Sequence, residues 1–177
     1  IHSTLSPNIQ LFDVENKRYL HQLNVNPDSN DDDDSDWYGG MRVYSAKISA
    51  NGHEVIAGTS RVAGSYAKIQ VFDVPQSRIV QSLKAHTDDV NSVCFLDKQN
   101  SSLILSGSDD GTCKLWDTRT NTVNAAGIFY GHMSGMTNVC SKEDNRYFIS
   151  NCKDQTIKLW DIRKAVTDKK KAEFYSL

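Results

Sequence analysis

Three residue types capable of hydrolytic chemistry recur in this chain at nearly the same spacing. His86, Ser106 and Asp110 form one set; His132, Ser150 and Asp154 form a second. Taken singly, either could supply a nucleophile, a base and a carboxylate that orients the base. Recurrence argues against that chemistry. An acyl-transfer site needs one exposed serine and an oxyanion hole, and gains nothing from a second copy further along the chain. Each set is followed, six residues after its aspartate, by a tryptophan, Trp116 or Trp160. A buried indole carries one N–H that needs an acceptor. A serine hydroxyl can accept from it and donate to one imidazole nitrogen, while the other imidazole nitrogen donates to the aspartate. The expected role of both tetrads is structural, every buried polar group finding its partner inside the set. No catalytic residue is assigned.

Other chemistry is sparse. There is no G-x-G-x-x-G, P-loop or H-E-x-x-H pattern, and no cofactor or metal is expected. The four cysteines, Cys94, Cys113, Cys140 and Cys152, lack C-x-x-C spacing and read as small buried side chains in a reducing compartment. Asp31–Asp34 are four adjacent carboxylates, which repel and cannot pack. They read as a solvated, weakly ordered insert, without the spaced ligands and central glycine of a calcium loop. The net charge of −2 over 177 residues gives no basic bias toward nucleic acid. No apolar run is long enough for a membrane helix. Nucleic acid and membrane are therefore not expected partners.

The elements that must position the tetrads follow from the repeat. Lys-Leu-Trp-Asp ends at Trp116-Asp117 and again at Trp160-Asp161, 44 residues on; Ala85-His86 and Gly131-His132 are 46 residues apart. A period of that length closed by Trp-Asp is one four-stranded blade of a β-propeller. The fold class is all-β: an open partial propeller of about three to four blades. Residues 1–25 read as the end of a first blade, 26–41 as the acidic insert, 42–83 as a second blade and 84–130 as a third. Residues 131–164 read as an incomplete fourth blade, and 165–177 as a charged tail with no clear outer strand. The chain begins with isoleucine and reads as an interior piece of a longer protein.

Strand direction then singles out two further residues. The second strand of a blade runs toward the Asp110 turn and the third runs back to Trp116. Arg119, two residues after Trp116-Asp117, therefore lies at the end of the blade opposite Asp110, roughly 20 Å away for a six-residue strand. Arg163 repeats this after Trp160-Asp161. Two such guanidinium groups on one face suit carboxylates or carbonyls of a protein partner. Equally, each can pair with the aspartate of its own turn.

These repeats resemble the WD40 family. Trp-Asp-Thr-Arg at 116–119 and Trp-Asp-Ile-Arg-Lys at 160–164 resemble the box of WD40 substrate receptors of cullin-RING E3 ubiquitin ligases. In that family the arginine contacts the damaged-DNA-binding-protein adaptor. The second copy matches better; the first departs at Cys113 and Thr118. Phe72-Asp73-Val74-Pro75 has no arginine and is not expected to contribute. Arg146–Asn151, Lys153–Arg163 and His86–Asn91 are similar to the WD-repeat protein 23 type of cullin-associated factor, a seven-bladed receptor family. The resemblance implies a non-enzymatic receptor of nucleus and/or cytoplasm that bridges this adaptor and a protein target. Its adaptor-binding residues would be Asp117, Arg119, Asp161, Arg163 and Lys164. Residues carried over to the target face are Asp89, Asn91 and Asp109 on the third blade, with Gly135, Thr137 and Lys153 on the fourth. A WD40 scaffold of a chromatin or RNA-processing complex is the competing reading.

Overall fold

The computed structural model describes residues 2–3, 6–26, 40–120 and 124–167. Among these, fourteen strands form four antiparallel sheets, each a simple meander. The first sheet holds β1 (His2–Ser3), β2 (Asn8–Asp13) and β3 (Arg18–Asn24). The second holds β4 (Val43–Ile48), β5 (Glu54–Thr59), β6 (Ala67–Asp73) and β7 (Arg78–His86). The third holds β8 (Val90–Phe95), β9 (Leu103–Ser108), β10 (Cys113–Asp117) and β11 (Gly127–Phe129). The fourth holds β12 (Met136–Ser141), β13 (Tyr147–Cys152) and β14 (Ile157–Asp161). The acidic run Asp31–Asp34 lies outside the described residues.

The sheets stack face to face, and the core sits between them rather than inside any one. Ile9, Leu11, Val55 and Phe72 join the first two blades. Ile56, Ile69, Val93, Ile104 and Trp116 join the second and third. Leu105, Cys113, Phe129, Met136 and Phe148 join the third and fourth. This stacking explains the burial patterns. β5 and β9 are buried on both faces after their first residue, whereas β13, the equivalent strand of the fourth blade, alternates buried and exposed. The repeat positions make the cause plain: Cys113 and Leu115 are buried, but their equivalents Ile157 and Leu159 are each 70% exposed. The same pattern on the same strand is covered in one blade and open in the next.

The inner strands β4, β8 and β12 approach closely enough to bond across blades. Val93 N–H donates to Ser45 Oγ at 3.2 Å, and Val139 N–H donates to Ser92 Oγ at 3.1 Å. Glycine makes the approach possible. A Cβ at Gly58 would stand 2.7 Å from Val90 Cγ1, and one at Gly107 would stand 2.8 Å from Val139 Cγ1, inside any real carbon–carbon contact. The equivalent residue of the fourth blade is the exposed Asn151.

Two details differ from the sequence expectation. The outer strand of the second blade, expected to end at Leu83, continues to His86, because His86 is anchored by the next blade. After Asp161 the chain makes a 3-10 turn, Ile162–Lys164. It then lays Val166 against the outer strand of the third blade, pairing with Ile128 at 2.8 and 3.0 Å.

Candidate functional site

Both tetrads form as single hydrogen-bonded chains. Trp116 Nε1–H donates to Ser106 Oγ at 2.9 Å, Ser106 Oγ lies 2.8 Å from His86 Nε2, and His86 Nδ1 lies 2.8 Å from Asp110 Oδ2. The second chain repeats these at 2.7, 2.7 and 2.9 Å through Trp160, Ser150, His132 and Asp154. The indole can only donate, so the serine oxygen accepts and its own hydrogen goes to Nε2. That fixes the imidazole as the Nδ1–H tautomer, donating to the carboxylate. Thr112 Oγ1 and Thr156 Oγ1 close the far side, each 2.6 Å from its aspartate. Ser106 and Ser150 are fully buried. A hydroxyl that is buried and committed on both sides is not available to attack a substrate.

Burial pulls the His86 pKa down against the opposing pull of Asp110, so the folded state keeps this imidazole neutral. Burial alone would raise the Asp110 carboxyl, but the His86 and Thr112 donors outweigh it and hold it well below the usual carboxylate range. The signs agree. Below about pH 6.5 the unfolded chain takes up a proton that folded His86 declines, so stability falls on acidification. Asp110 adds a further loss as pH drops through about 4. Urea midpoints should therefore decline from pH 7 to pH 5, and His86→Gln should flatten that decline. A midpoint that rises on acidification would mean that folded His86 gains the proton.

His132, Cys152 and Asp154 place one candidate ligand atom each within 4.8 Å of one another. The third blade shows why. There Ser108 Oγ takes the Asp110 N–H at 3.1 Å, and Cys152 Sγ takes the Asp154 N–H in the same way at 3.3 Å. The cluster is thus the tetrad's own turn, with a thiol in place of a hydroxyl. Burial pushes the Cys94 and Cys113 thiols up to about 12, which leaves them inert. Cys140, expected to be buried, is exposed; it occupies the Cys94 position, but on a sheet face that no other sheet covers among the described residues.

The arginines stand at the opposite end of the blades from these turns. Thr118 N–H bonds Ser102 O, beyond the β9–β10 hairpin end remote from Asp110, and Ile162 N–H bonds Arg146 O in the same way; both are 2.9 Å. Arg119 grips Asp117 with Nε at 2.9 Å and Nη2 at 2.6 Å. Arg163 grips Asp161 with Nε at 2.9 Å and Nη2 at 2.5 Å. The guanidinium groups hold both carboxyls below their usual range. Local pairing and solvent access coexist here, since the side chains remain 63% and 61% exposed. Lys164 is exposed in the same turn.

On the other face, the carried-over residues largely converge on one another. Asp109 Oδ1 accepts from Asn91 Nδ2 at 2.8 Å and from Lys153 Nζ at 2.6 Å. Asp89 Oδ1 accepts from Arg61 N at 2.6 Å. These contacts tie the second blade to the third and the third to the fourth. Gly135 is part of the same tie: a Cβ there would lie 2.0 Å from Asp109 Oδ1 and 2.9 Å from Asp109 Cα. Gly135→Ala should destabilise by about 1–3 kcal/mol through this overlap. Adding Asp109→Ala should recover only part of the loss, because the backbone conflict persists. Full recovery in denaturation melts would show that the side chain alone causes it.

Sequence reasoning missed a device on this face. Each inner strand begins with a bulge, so Tyr44, Asn91 and Thr137 are skipped in the pairing with the neighbouring strand. A bulge re-aims its side chain out of the ladder. Thr137 is exposed, with its hydroxyl on Asn151 O at 3.1 Å. Burial, and then the Asp89 charge, push the Tyr44 hydroxyl pKa up. Among the described residues no helix is long and apolar enough to cross a membrane.

Comparison with known proteins agrees with this architecture. The family model described as WD domain, G-beta repeat matches residues 77–117 and 124–161. The blades are WD40 repeats, and the chain is a partial propeller of the WD40-repeat proteins. More particularly, it is similar to LEC14B protein of Lithospermum erythrorhizon, 48% identical over 124 residues, covering 69% of this chain and 25% of the relative. It is 36% identical over 171 residues to a LEC14B homolog of Prunus armeniaca, covering 93% of this chain and 34% of the relative. The DDB1- and CUL4-associated factor 11 homolog of Caenorhabditis elegans is 47% identical over 111 residues, covering 60% of this chain and 18% of that protein. The chain thus spans about a fifth to a third of the length of these curated relatives.

Proposed function

We propose that this chain is part of the substrate-recognition subunit of a cullin-RING E3 ubiquitin ligase, with no catalytic chemistry of its own. The observation that carries the reading is the pair Arg119 and Arg163. The two bidentate, solvent-accessible guanidinium groups sit at equivalent places on adjacent blades. The surrounding sequence is similar to a relative named for association with DDB1 and CUL4. Asp117, Asp161 and Lys164 would complete the adaptor surface. Planar forks suit carboxylates and carbonyls at a protein interface.

The opposite face, where the bulged Tyr44, Asn91 and Thr137 stand beside Asp89, Asp109 and Lys153, would receive the protein target. Because Asp109 is already held by Asn91 and Lys153, it serves the target face by setting the spacing of the blades. Thr137 and Tyr44 are the better direct contacts. We place the protein in the nucleus and/or cytoplasm. Affinity capture with the full-length protein, followed by mass spectrometry, tests the reading. Recovery of the adaptor together with a cullin supports it. Recovery of chromatin or RNA-processing subunits without them favours the scaffold reading.

A further inference from the structure

Blades three and four present the same arginine, but in different company. Asp117 takes its side-chain hydrogen bonds from Arg119. Asp161 takes the same pair from Arg163 and a further one, at 3.3 Å, from Arg146 Nε. The hairpin register explains the second guanidinium. Tyr147 pairs with Asp161, so the residue just before it reaches the carboxylate from the other side of the hairpin end. In the third blade the corresponding position is Ser102, as the shared backbone hydrogen bond to the residue after each Trp-Asp shows.

Arg146 is held in place by contacts of its own. Its guanidinium carbon lies 4.6 Å from the centre of the Tyr147 ring, within the range of a cation–π contact. Its backbone N–H donates to Asp144 Oδ1 at 2.9 Å. It remains 46% exposed, beside an Asp161 that is mostly covered.

We propose that Arg146 is a positioning residue for Arg163: it keeps Asp161 paired while Arg163 turns outward to a carboxylate on the adaptor. This rests on the reading of the arginine face as the adaptor surface. The reason is electrostatic. When an arginine leaves a half-covered carboxylate for a partner, the abandoned charge loses its charge-assisted bonds and pulls the arginine back. Asp117 would keep only the Arg119 backbone N–H, which donates at 3.1 Å. Asp161 keeps the equivalent Arg163 backbone N–H, also at 3.1 Å, and the Arg146 guanidinium besides. Arg163 can therefore be shared with a partner at less cost than Arg119, and the two repeats contribute unequally. The positive field of two guanidinium groups around one carboxylate also favours an acidic partner group over a neutral carbonyl.

The test is a coupling experiment with the full-length protein and purified adaptor. Arg146→Ala should weaken adaptor binding about fivefold. In an Arg163→Ala background the same change should cost less than about twofold, since there is no Arg163 left to release. Arg146→Lys, which keeps a charge beside Asp161, should recover much of the affinity. Ser102→Arg, which gives the third blade what the fourth has, should tighten binding, and Arg119→Ala should remove that gain. Equal losses from Arg146→Ala in both backgrounds would make Arg146 an independent contact and overturn the proposal. So would an unaffected Arg146→Ala variant where Arg163→Ala weakens binding; the adaptor surface would then stand without this device. If Arg163→Ala itself leaves binding unchanged, the adaptor surface is wrong.

Discussion

Replacing Arg119 and Arg163 together by alanine is expected to abolish adaptor capture while the propeller stays folded. Both side chains are well over half exposed and, among the described residues, bond to the aspartate of their own turn, so little folding energy depends on them. As interface anchors they are a different matter. Truncating a charged anchor at the centre of an interface commonly weakens binding by about thirtyfold or more. Arg163→Ala should account for the greater share, because its turn also holds Lys164 and Arg146. The measurement is adaptor affinity of the double variant beside its urea midpoint. Unchanged capture would remove the ligase-receptor reading and leave a general WD40 scaffold. Lost capture with a collapsed midpoint would show that the arginines are structural.

Trp116→Ala should have the largest effect on stability. The indole is buried in the core between the second and third blades, and removing a buried aromatic of this size costs about 3–5 kcal/mol. The change also strips Ser106 Oγ of its donor in a site that water does not reach, adding the penalty of unpaired buried polar groups. Trp116→Phe keeps most of the apolar body and removes only the N–H, so it should cost less. The second blade supports this pairing of residue types: Phe72 occupies the tryptophan position there, and Ala57 replaces the serine. An aromatic with no N–H needs no acceptor. Trp160→Ala should be milder in this chain, because Trp160 is only partly buried. Equal losses at the two tryptophans would mean that the fourth blade is covered as fully as the third.

Much of this was legible in the residues because the information was local and repeated. The 44-residue period, the Trp-Asp ends and the six-residue Asp-to-Trp offset define the hairpins, and hairpins fix which residues face each other across two strands. That is why the spacing alone brings the members of each tetrad together and puts Arg119 and Arg163 at the end away from the histidines. Contacts between blades were not legible, because no period within one blade encodes what its neighbour brings. The spacing that put Asp109 on one face gave no sign that it binds Asn91 and Lys153 or lies over Gly135. Cys94 and Cys140 are equivalent in sequence and opposite in exposure. Arg146 has no counterpart in the third blade, where Ser102 stands, but the β13–β14 register brings it to Asp161.

What the sequence by itself determined, then, is the blade: its strands, its internal hydrogen-bonded tetrad and the faces its turns point to, all set by backbone pairing and by the need to satisfy buried polar groups within about 45 residues of chain. What only the tertiary structure decided is which of those groups remain for a partner. That depends on whether the next sheet covers a face and on which side chain from the neighbouring blade reaches a carboxylate first. Leu115 and Leu159 occupy the same place in the repeat; one is buried and the other exposed, because burial belongs to the stack and not to the strand.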